Sequence, residues 1–210
     1  LMNPLLQLAT DPHALPCFTS ITPAHALPAI TELIAQNRAL IADVVALPKP
    51  TWHSHIAPLE AAEDRLARAF APVGHLHAVV NTPQWREAYA ACVEQLTDYG
   101  TDVGQHEGLC AVYKAVQESE DFVALTVEQQ QAVHKAVKDF VLSGVDLPTE
   151  DKKIAKQQQL RLSELSTQFS NQLLDATQAW HHHVTDETEL QGVTEAGKAL
   201  LANNAQTKGK

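Results

Sequence analysis

The stretch EDKKIAKQQQLRLSELSTQFSNQLLDATQAWHHHV, residues 150–184, decides the fold class of this chain. It contains no proline or glycine, and its apolar residues recur every three or four positions, which places them on one face of an α-helix. These residues are Leu162, Leu165, Phe169, Leu173, Ala176, Trp180 and Val184. A helix of this length extends on the order of 50 Å. We therefore predict one long helix whose apolar stripe is buried by other helices that pack along it.

Cap and proline signals divide the rest of the chain into further helices. Thr22-Pro23 and Thr82-Pro83 each place a capping hydroxyl before a proline at the first helical position. Thr126 and Gln129 form a capping box, and the helix that they begin ends at Ser143-Gly144. No long run alternates with the period of two that a strand requires. The sequence predicts an all-α array of about seven helices around the helix at 150–184.

Three regions follow from these signals. Residues 1–21 are interrupted by prolines and are predicted to be extended, residues 22–192 form the helical domain, and residues 193–210 form a short helix and a polar tail. Within the helical domain, Pro72 and Gly74 predict a kink.

Composition limits the class of protein. The three cysteines show no CxxC spacing, and the proline-broken N-terminus has no basic residue before its apolar residues, so neither a disulfide framework nor a signal peptide is indicated. No segment approaches the roughly 20 apolar residues of a membrane span. The formal net charge of −10 opposes binding to nucleic acid or anionic membranes. We expect a soluble cytoplasmic protein.

The most suggestive local motif is His106-Glu107-Gly108-Leu109-Cys110. On a helix, His106 and Cys110 share a face, and Glu107 occupies the position of the general base in an HExxH zinc peptidase. The nearby glycines argue against a rigid helix, and no third ligand is suggested by spacing. The alternative interpretation, a capped helix start with a small buried thiol, is favoured.

The other candidate groups also favour structural roles. The consecutive rings of His181, His182 and His183 diverge on a helix, so they are predicted to be solvated. The i, i+2 pairs His53/His55 and His75/His77 face apart on a helix, and Cys17 and Cys92 have no neighbour that recommends either as a nucleophile. Three acids on one helical turn, Glu60, Glu63 and Asp64, are predicted to form a charged outer face with Arg65 and Arg68.

Three blocks of the chain resemble the N-terminal part of the thimet oligopeptidase family of zinc metallopeptidases. They are NPLLQLATDPHALPCFTSITPAHALPAI, FAPVGHLHAVVNTPQWREAYAACVEQLTDYGTDVGQHEGL and KDFVLSGVDLPTEDKKIAKQQQLRLSELSTQFSNQLLDATQAWHHHVTDETELQG. They occur in the family's order and cover nearly the whole chain. The phrases DFVLSG, LSELS, FSN and LDAT are more specific than any single short pattern.

The resemblance implies a helical N-terminal domain that forms one wall of a channel and restricts substrates to short peptides. The family's HExxH helix and its further glutamate ligand lie in the later catalytic portion, and no HExxH occurs in these 210 residues. No residue of this chain is therefore expected to be catalytic, to bind a cofactor or to ligate zinc. Zinc belongs to the parent enzyme, and the segment alone is expected to be inactive.

Two interpretations remain open. The chain is either the N-terminal segment of an oligopeptidase, whose partner is the catalytic portion, or a stand-alone helical interaction module without catalysis. The first predicts a contiguous apolar surface that is exposed or is covered by self-association. The second favours scattered apolar residues.

Overall fold

The computed structural model describes residues 3–7, 14–207 and 209. These residues contain seven α-helices and no strand, which confirms the all-α prediction. The helices are α1 Pro23–Ala46, α2 Ala57–Val79, α3 Pro83–Gly104, α4 Glu107–Gln117, α5 Val127–Leu142, α6 Thr149–Ala179 and α7 Glu195–Thr207. Four 3₁₀ turns, Pro4–Leu6, Phe18–Ser20, Glu120–Ala124 and Glu187–Leu190, and a π-helical turn, Trp52–Ile56, complete the order.

Capping residues set the helix boundaries where the sequence predicts them. The Thr126 Oγ1 accepts a hydrogen bond from the Gln129 N–H at 3.3 Å, and the Gln129 side chain accepts one from the Thr126 N–H at 3.0 Å. Gly144 follows α5 with a φ of 83°, a conformation that favours glycine. The kink predicted at Pro72 and Gly74 does not end α2, which continues to Val79.

The chain divides into two compact units, Leu1–Thr167 and Gln168–Lys210. In the first unit, α1 packs against α2, α3 and α4, while α4 packs against α5. Helical spacing predicts a buried face of Ile30, Leu33, Ile34, Ile41, Val44 and Val45, and the first five are buried, whereas Val45 is only half-buried against the core. This makes α1 the helix around which the core forms.

The long helix differs from its prediction in length and in burial. It ends at Ala179 rather than at residue 184, and none of its residues is buried. Leu162, Leu165, Phe169, Leu173 and Trp180 are all exposed. The predicted burial of this stripe is therefore wrong: the apolar pattern is real, but the described residues do not cover it.

The predicted extended segment at 1–21 falls partly on residues 1–2 and 8–13, which lie outside the described residues. Its described parts contain the 3₁₀ turns Pro4–Leu6 and Phe18–Ser20. The predicted short helix of the C-terminal region is present as α7, and residues 208 and 210 of the polar tail lie outside the described set. Among the described helices, none combines the length and apolar content that crossing a bilayer requires.

Candidate functional site

The apolar stripe of α6 is the most prominent unexplained surface. Leu162 is 58% exposed, Phe169 67% and Leu173 57%, although each occupies a position at helical spacing that normally faces a core. Large side chains repeated on one face of a helix are a feature of surfaces that bind another protein segment. The stripe is therefore the leading candidate for a binding surface.

A different face of α6 holds this helix to α3. Lys156 Nζ lies 2.6 Å from Asp98 Oδ1 and 2.6 Å from Asp102 Oδ1. The other oxygens of both carboxylates contact Arg38 Nη2 of α1, at 3.2 Å and 2.7 Å. Two cations thus bridge the same two acids, and we call Arg38, Asp98, Asp102 and Lys156 the ion cluster.

Two further polar contacts continue along the same face. Lys152 Nζ lies 2.5 Å from Glu107 Oε1, at the start of α4, and Thr97 Oγ1 donates to Ser163 Oγ at 3.0 Å. Lys152, Lys156 and Ser163 are spaced by four and seven residues, so they share one side of the helix. At 3.6 residues per turn, Leu162 and Leu165 lie roughly a quarter turn or more from that side. The face of α6 that contacts α3 is polar, which explains why these two leucines are not buried.

The cluster shifts the pKa values of Asp102 and Lys156. Partial burial acts to raise the pKa of Asp102, but hydrogen bonds from Lys156 and Arg38 outweigh it and lower that pKa below its ordinary value. For Lys156, partial burial acts to lower the pKa, while hydrogen bonds to Asp102 and Asp98 raise it. Both shifts favour the charged pair.

The acids predicted to form a charged outer face have divided roles. Asp64 pairs with Arg68 at 3.9 Å across one helical turn, as predicted. Glu63, however, accepts hydrogen bonds from the hydroxyl of buried Tyr99 and from Asn37 Nδ2, and Glu60 accepts one from the Tyr113 hydroxyl at 3.4 Å. Those two glutamates satisfy polar groups of the core. The sequence did not indicate this role, because each pair is more than 25 residues apart.

The His106-to-Cys110 motif begins α4. His106 is the N-cap residue, and its Nδ1 accepts a hydrogen bond from the Leu109 N–H at 3.0 Å. Cys110 is buried at 3% exposure. This arrangement matches the capped helix start with a buried thiol. Within residues 3–7, 14–207 and 209, no three His, Cys, Asp or Glu side chains come together as metal ligands, so the described donors do not fit a zinc site.

His55 is a fully buried structural histidine. Its Nδ1 accepts from the Thr51 N–H at 3.3 Å, and its Nε2 lies 3.3 Å from the Leu47 carbonyl oxygen, to which the ring donates. His77 stacks on Tyr89 with ring centroids 4.0 Å apart. Both rings belong to the packing of the fold.

The three consecutive histidines follow the end of α6, so their predicted placement on that helix is wrong. All three are exposed, as predicted, and His182 Nε2 lies 3.5 Å from Glu189 Oε2. With Trp180, Leu190 and Leu201, they line a cleft of about 740 Å³ in the second unit.

The cysteines differ in exposure. Burial raises the pKa of Cys92 to about 11, which leaves its thiol unreactive at neutral pH. Cys17 is exposed, and hydrogen bonds with the Thr19 and Ser20 side chains lower its pKa. Thr19 and Ser20 lie two and three residues after Cys17, so the polar neighbours of this thiol are local in the sequence.

Two cavities of the first unit border α3. One, of about 230 Å³, is lined by residues of five helices, including Ile41, Glu63, Gly100, Tyr113 and Phe140. The other is a cleft of about 580 Å³ between α3 and α6, lined by Thr97, Thr101, Gln105, Gln159 and Leu162 among others. On α6, the residues that line the second cleft lie between Ala155 and Leu162, beside the ion cluster.

Comparison with known proteins identifies the family. The family described as "Neurolysin/Thimet oligopeptidase, N-terminal domain" matches residues 30–152, more than half of the chain. The chain belongs to the neurolysin/thimet oligopeptidase family. The family resemblance carried by the three sequence blocks is thereby confirmed.

Relatives of this family match almost all of the chain. Oligopeptidase A of Escherichia coli strain K12 is 43% identical over 209 residues, and Oligopeptidase A of Salmonella typhimurium strain LT2 is 42% identical over 209 residues. In both cases the match covers 99% of this chain and 30% of the relative. The "Organellar oligopeptidase A, chloroplastic/mitochondrial" of Arabidopsis thaliana is 31% identical over 207 residues, which cover 26% of that protein. The chain therefore spans less than a third of the length of these relatives.

Proposed function

We propose that this chain is the helical N-terminal domain of a zinc-dependent oligopeptidase, in which it forms one wall of the substrate channel and limits access to short peptides. The observation that carries the proposal is its 43% identity to Oligopeptidase A over nearly its whole length, together with the match to the family's N-terminal domain. In this proposal the chain contributes shape and contact surface, and another portion of the polypeptide contributes the chemistry.

The exposed stripe of α6 supports a wall that contacts another portion of protein. Burial of a Phe or Leu side chain stabilises an interface by about 1.5–3 kcal/mol. Several such side chains exposed to water therefore leave a large favourable free energy of burial unused. A catalytic portion that packs on Phe169 and Leu173 recovers it. In the isolated chain, the same stripe is free to drive self-association.

Zinc in this proposal is held outside the chain. The described residues do not assemble a ligand set, and His106 and Cys110 are used as a cap and as a buried thiol. When bound in that other portion, zinc would supply Lewis-acid polarisation of the scissile carbonyl and an activated water. Residues of this chain are assigned no step of that chemistry. A cytoplasmic location completes the proposal, supported by three free cysteines.

A chimera tests the proposal. The region of Escherichia coli Oligopeptidase A that aligns with this chain is replaced by this chain, and cleavage of a short quenched peptide is compared with cleavage of a long unfolded polypeptide. We expect chelator-sensitive cleavage of the short peptide and resistance of the long one. A chimera that cleaves both substrates equally well would contradict the substrate-restricting role.

A matched pair of variants tests the contact surface within the chimera. Phe169→Glu places a charge on the stripe, whereas Gln178→Glu places the same charge on an exposed position about half a turn from it. We expect peptide cleavage to fall at least tenfold in the first variant and to stay unchanged in the second. Equal activity of both variants would contradict the role of the stripe as a contact surface. A folded chimera that does not cleave the peptide even without either substitution would instead favour a stand-alone interaction module.

A further inference from the structure

The hydrogen bonds and ion pairs between α6 and the core lie along one face of the helix, where Ala155 and Leu160 are only half-buried. Lys152, Lys156 and Ser163 reach Glu107, Asp98, Asp102 and Thr97, and no residue of α6 is buried. These contacts span about 16 Å of the helix. The cleft of about 580 Å³ lies beside them, so the helix is held across a gap by charges and hydrogen bonds.

The segment that joins α5 to α6 restricts where α6 can pivot. Val145 is buried at 2% exposure, and its N–H donates to the Phe140 carbonyl at 3.1 Å, so this residue is fixed to the core. Asp146, Leu147 and Pro148 follow it, and all three are exposed. The Leu147 N–H donates to the Gly144 carbonyl oxygen at 3.0 Å, so a pivot of α6 at residues 146–148 would break this one turn bond while leaving Val145 in place.

The helix itself is able to persist without the core. Its 31 residues exceed the roughly 12–15 below which isolated helices are marginal even in favourable sequences. It is rich in Gln and Leu, which are good helix formers, and it carries the internal pairs Lys153–Glu150 and Arg161–Glu164. Loss of contact with α3 is thus expected to move α6 as an intact rod.

We propose that the first half of α6 is an arm latched to α3 by charge, which swings about residues 146–148 when ionic strength screens the ion cluster. The swing opens the cleft between Thr97 and Gln159 while α1 to α5 stay folded, because the contacts of that core are apolar. This inference concerns the chain itself and does not depend on the proposed peptidase.

Distance measurements between spin labels test the latch. Cys17→Ser removes the exposed thiol, and labels are then placed at Ala67→Cys on α2 and Gln157→Cys on α6, both at exposed positions. Salt is raised from about 0.1 M to about 1 M, over which the screening length falls from about 10 Å to about 3 Å. We expect the distance distribution to shift and broaden with salt, with no loss of helical circular dichroism.

Two variants of α6 test whether the ion pairs of Lys156 in particular, rather than the loss of any positive charge, hold the helix to α3. Lys156→Gln removes the bridging cation and is expected to give the high-salt distribution already at low salt. Lys153→Gln removes an exposed cation that pairs only within α6, and it is expected to behave as the unmodified helix does. If Lys156→Gln fails to fold, the salt titration of the intact cluster still decides. A distance distribution that is unchanged through about 1 M salt overturns the proposal, as does equal behaviour of the two variants.

Discussion

Two glycines of α3 allow the packing of the core to be tested with one added methyl group each. At Gly100, an added Cβ meets no atom within 4 Å, since this residue borders both cavities of the first unit. At Gly104, the same atom would lie 2.8 Å from the Cβ of Ser143 at the end of α5. Each Gly→Ala substitution adds the same methyl group, but at Gly100 it enters open space and at Gly104 it meets Ser143.

The expected effects have opposite signs. Gly100→Ala removes the helix penalty of glycine and should raise the free energy of unfolding by about 0.8–1 kcal/mol, which corresponds to about 2–4 °C in melting temperature for a chain of this size. Gly104 is the last residue of α3, so Gly104→Ala gains less, and the clash should cost about 1–3 kcal/mol. Urea and thermal unfolding measure both. A Gly100→Ala variant that is less stable than the unmodified chain would refute this account of the packing around α3.

Three further outcomes are expected. His55→Phe keeps a ring but removes its hydrogen bonds to Thr51 and Leu47, so it should cost about 2 kcal/mol in urea unfolding, whereas His53→Phe, at an exposed position, should cost little. Burial and, to a lesser extent, the hydrogen bond to Glu63 raise the pKa of Tyr99, so this hydroxyl loses its proton at higher pH in the native state than in the unfolded state. The free energy of unfolding is therefore expected to decrease as the pH rises above the ordinary pKa of 10.0. Tyr99→Phe should make this decrease smaller in unfolding curves measured at alkaline pH. Phe169→Glu should lower the fluorescence of an apolar dye bound to the isolated chain, and Gln178→Glu should leave it unchanged.

Local signals in the sequence predict most of the helix boundaries. The capping box of Thr126 and Gln129 and the left-handed Gly144 act within a few residues, so their geometry follows from neighbouring residue types. The buried face of α1 follows from its spacing for the same reason. Residues 180–184 contain neither proline nor glycine, and nothing in the structure explains why α6 ends at Ala179.

The sequence-based predictions that were wrong concern which part of the protein packs against a given helix face. An apolar stripe predicts that a helix face avoids water, but it does not predict whether the described chain supplies the cover, and for Phe169 and Leu173 it does not. The ion cluster joins residues about 60 positions apart, such as Arg38 and Asp98, so only the packing of α1 on α3 brings them together. The i, i+4 spacing of Asp98 with Asp102, and of Lys152 with Lys156, was a signal that complementary faces exist.

A peptidase assay on the purified chain tests the central claim most directly. The chain is loaded with zinc and incubated with a short quenched peptide, with and without a chelator, while Oligopeptidase A of Escherichia coli serves as the positive control. We predict no cleavage by the chain under either condition, because its described residues do not gather a ligand set for zinc. Cleavage by the chain that the chelator abolishes would contradict the account.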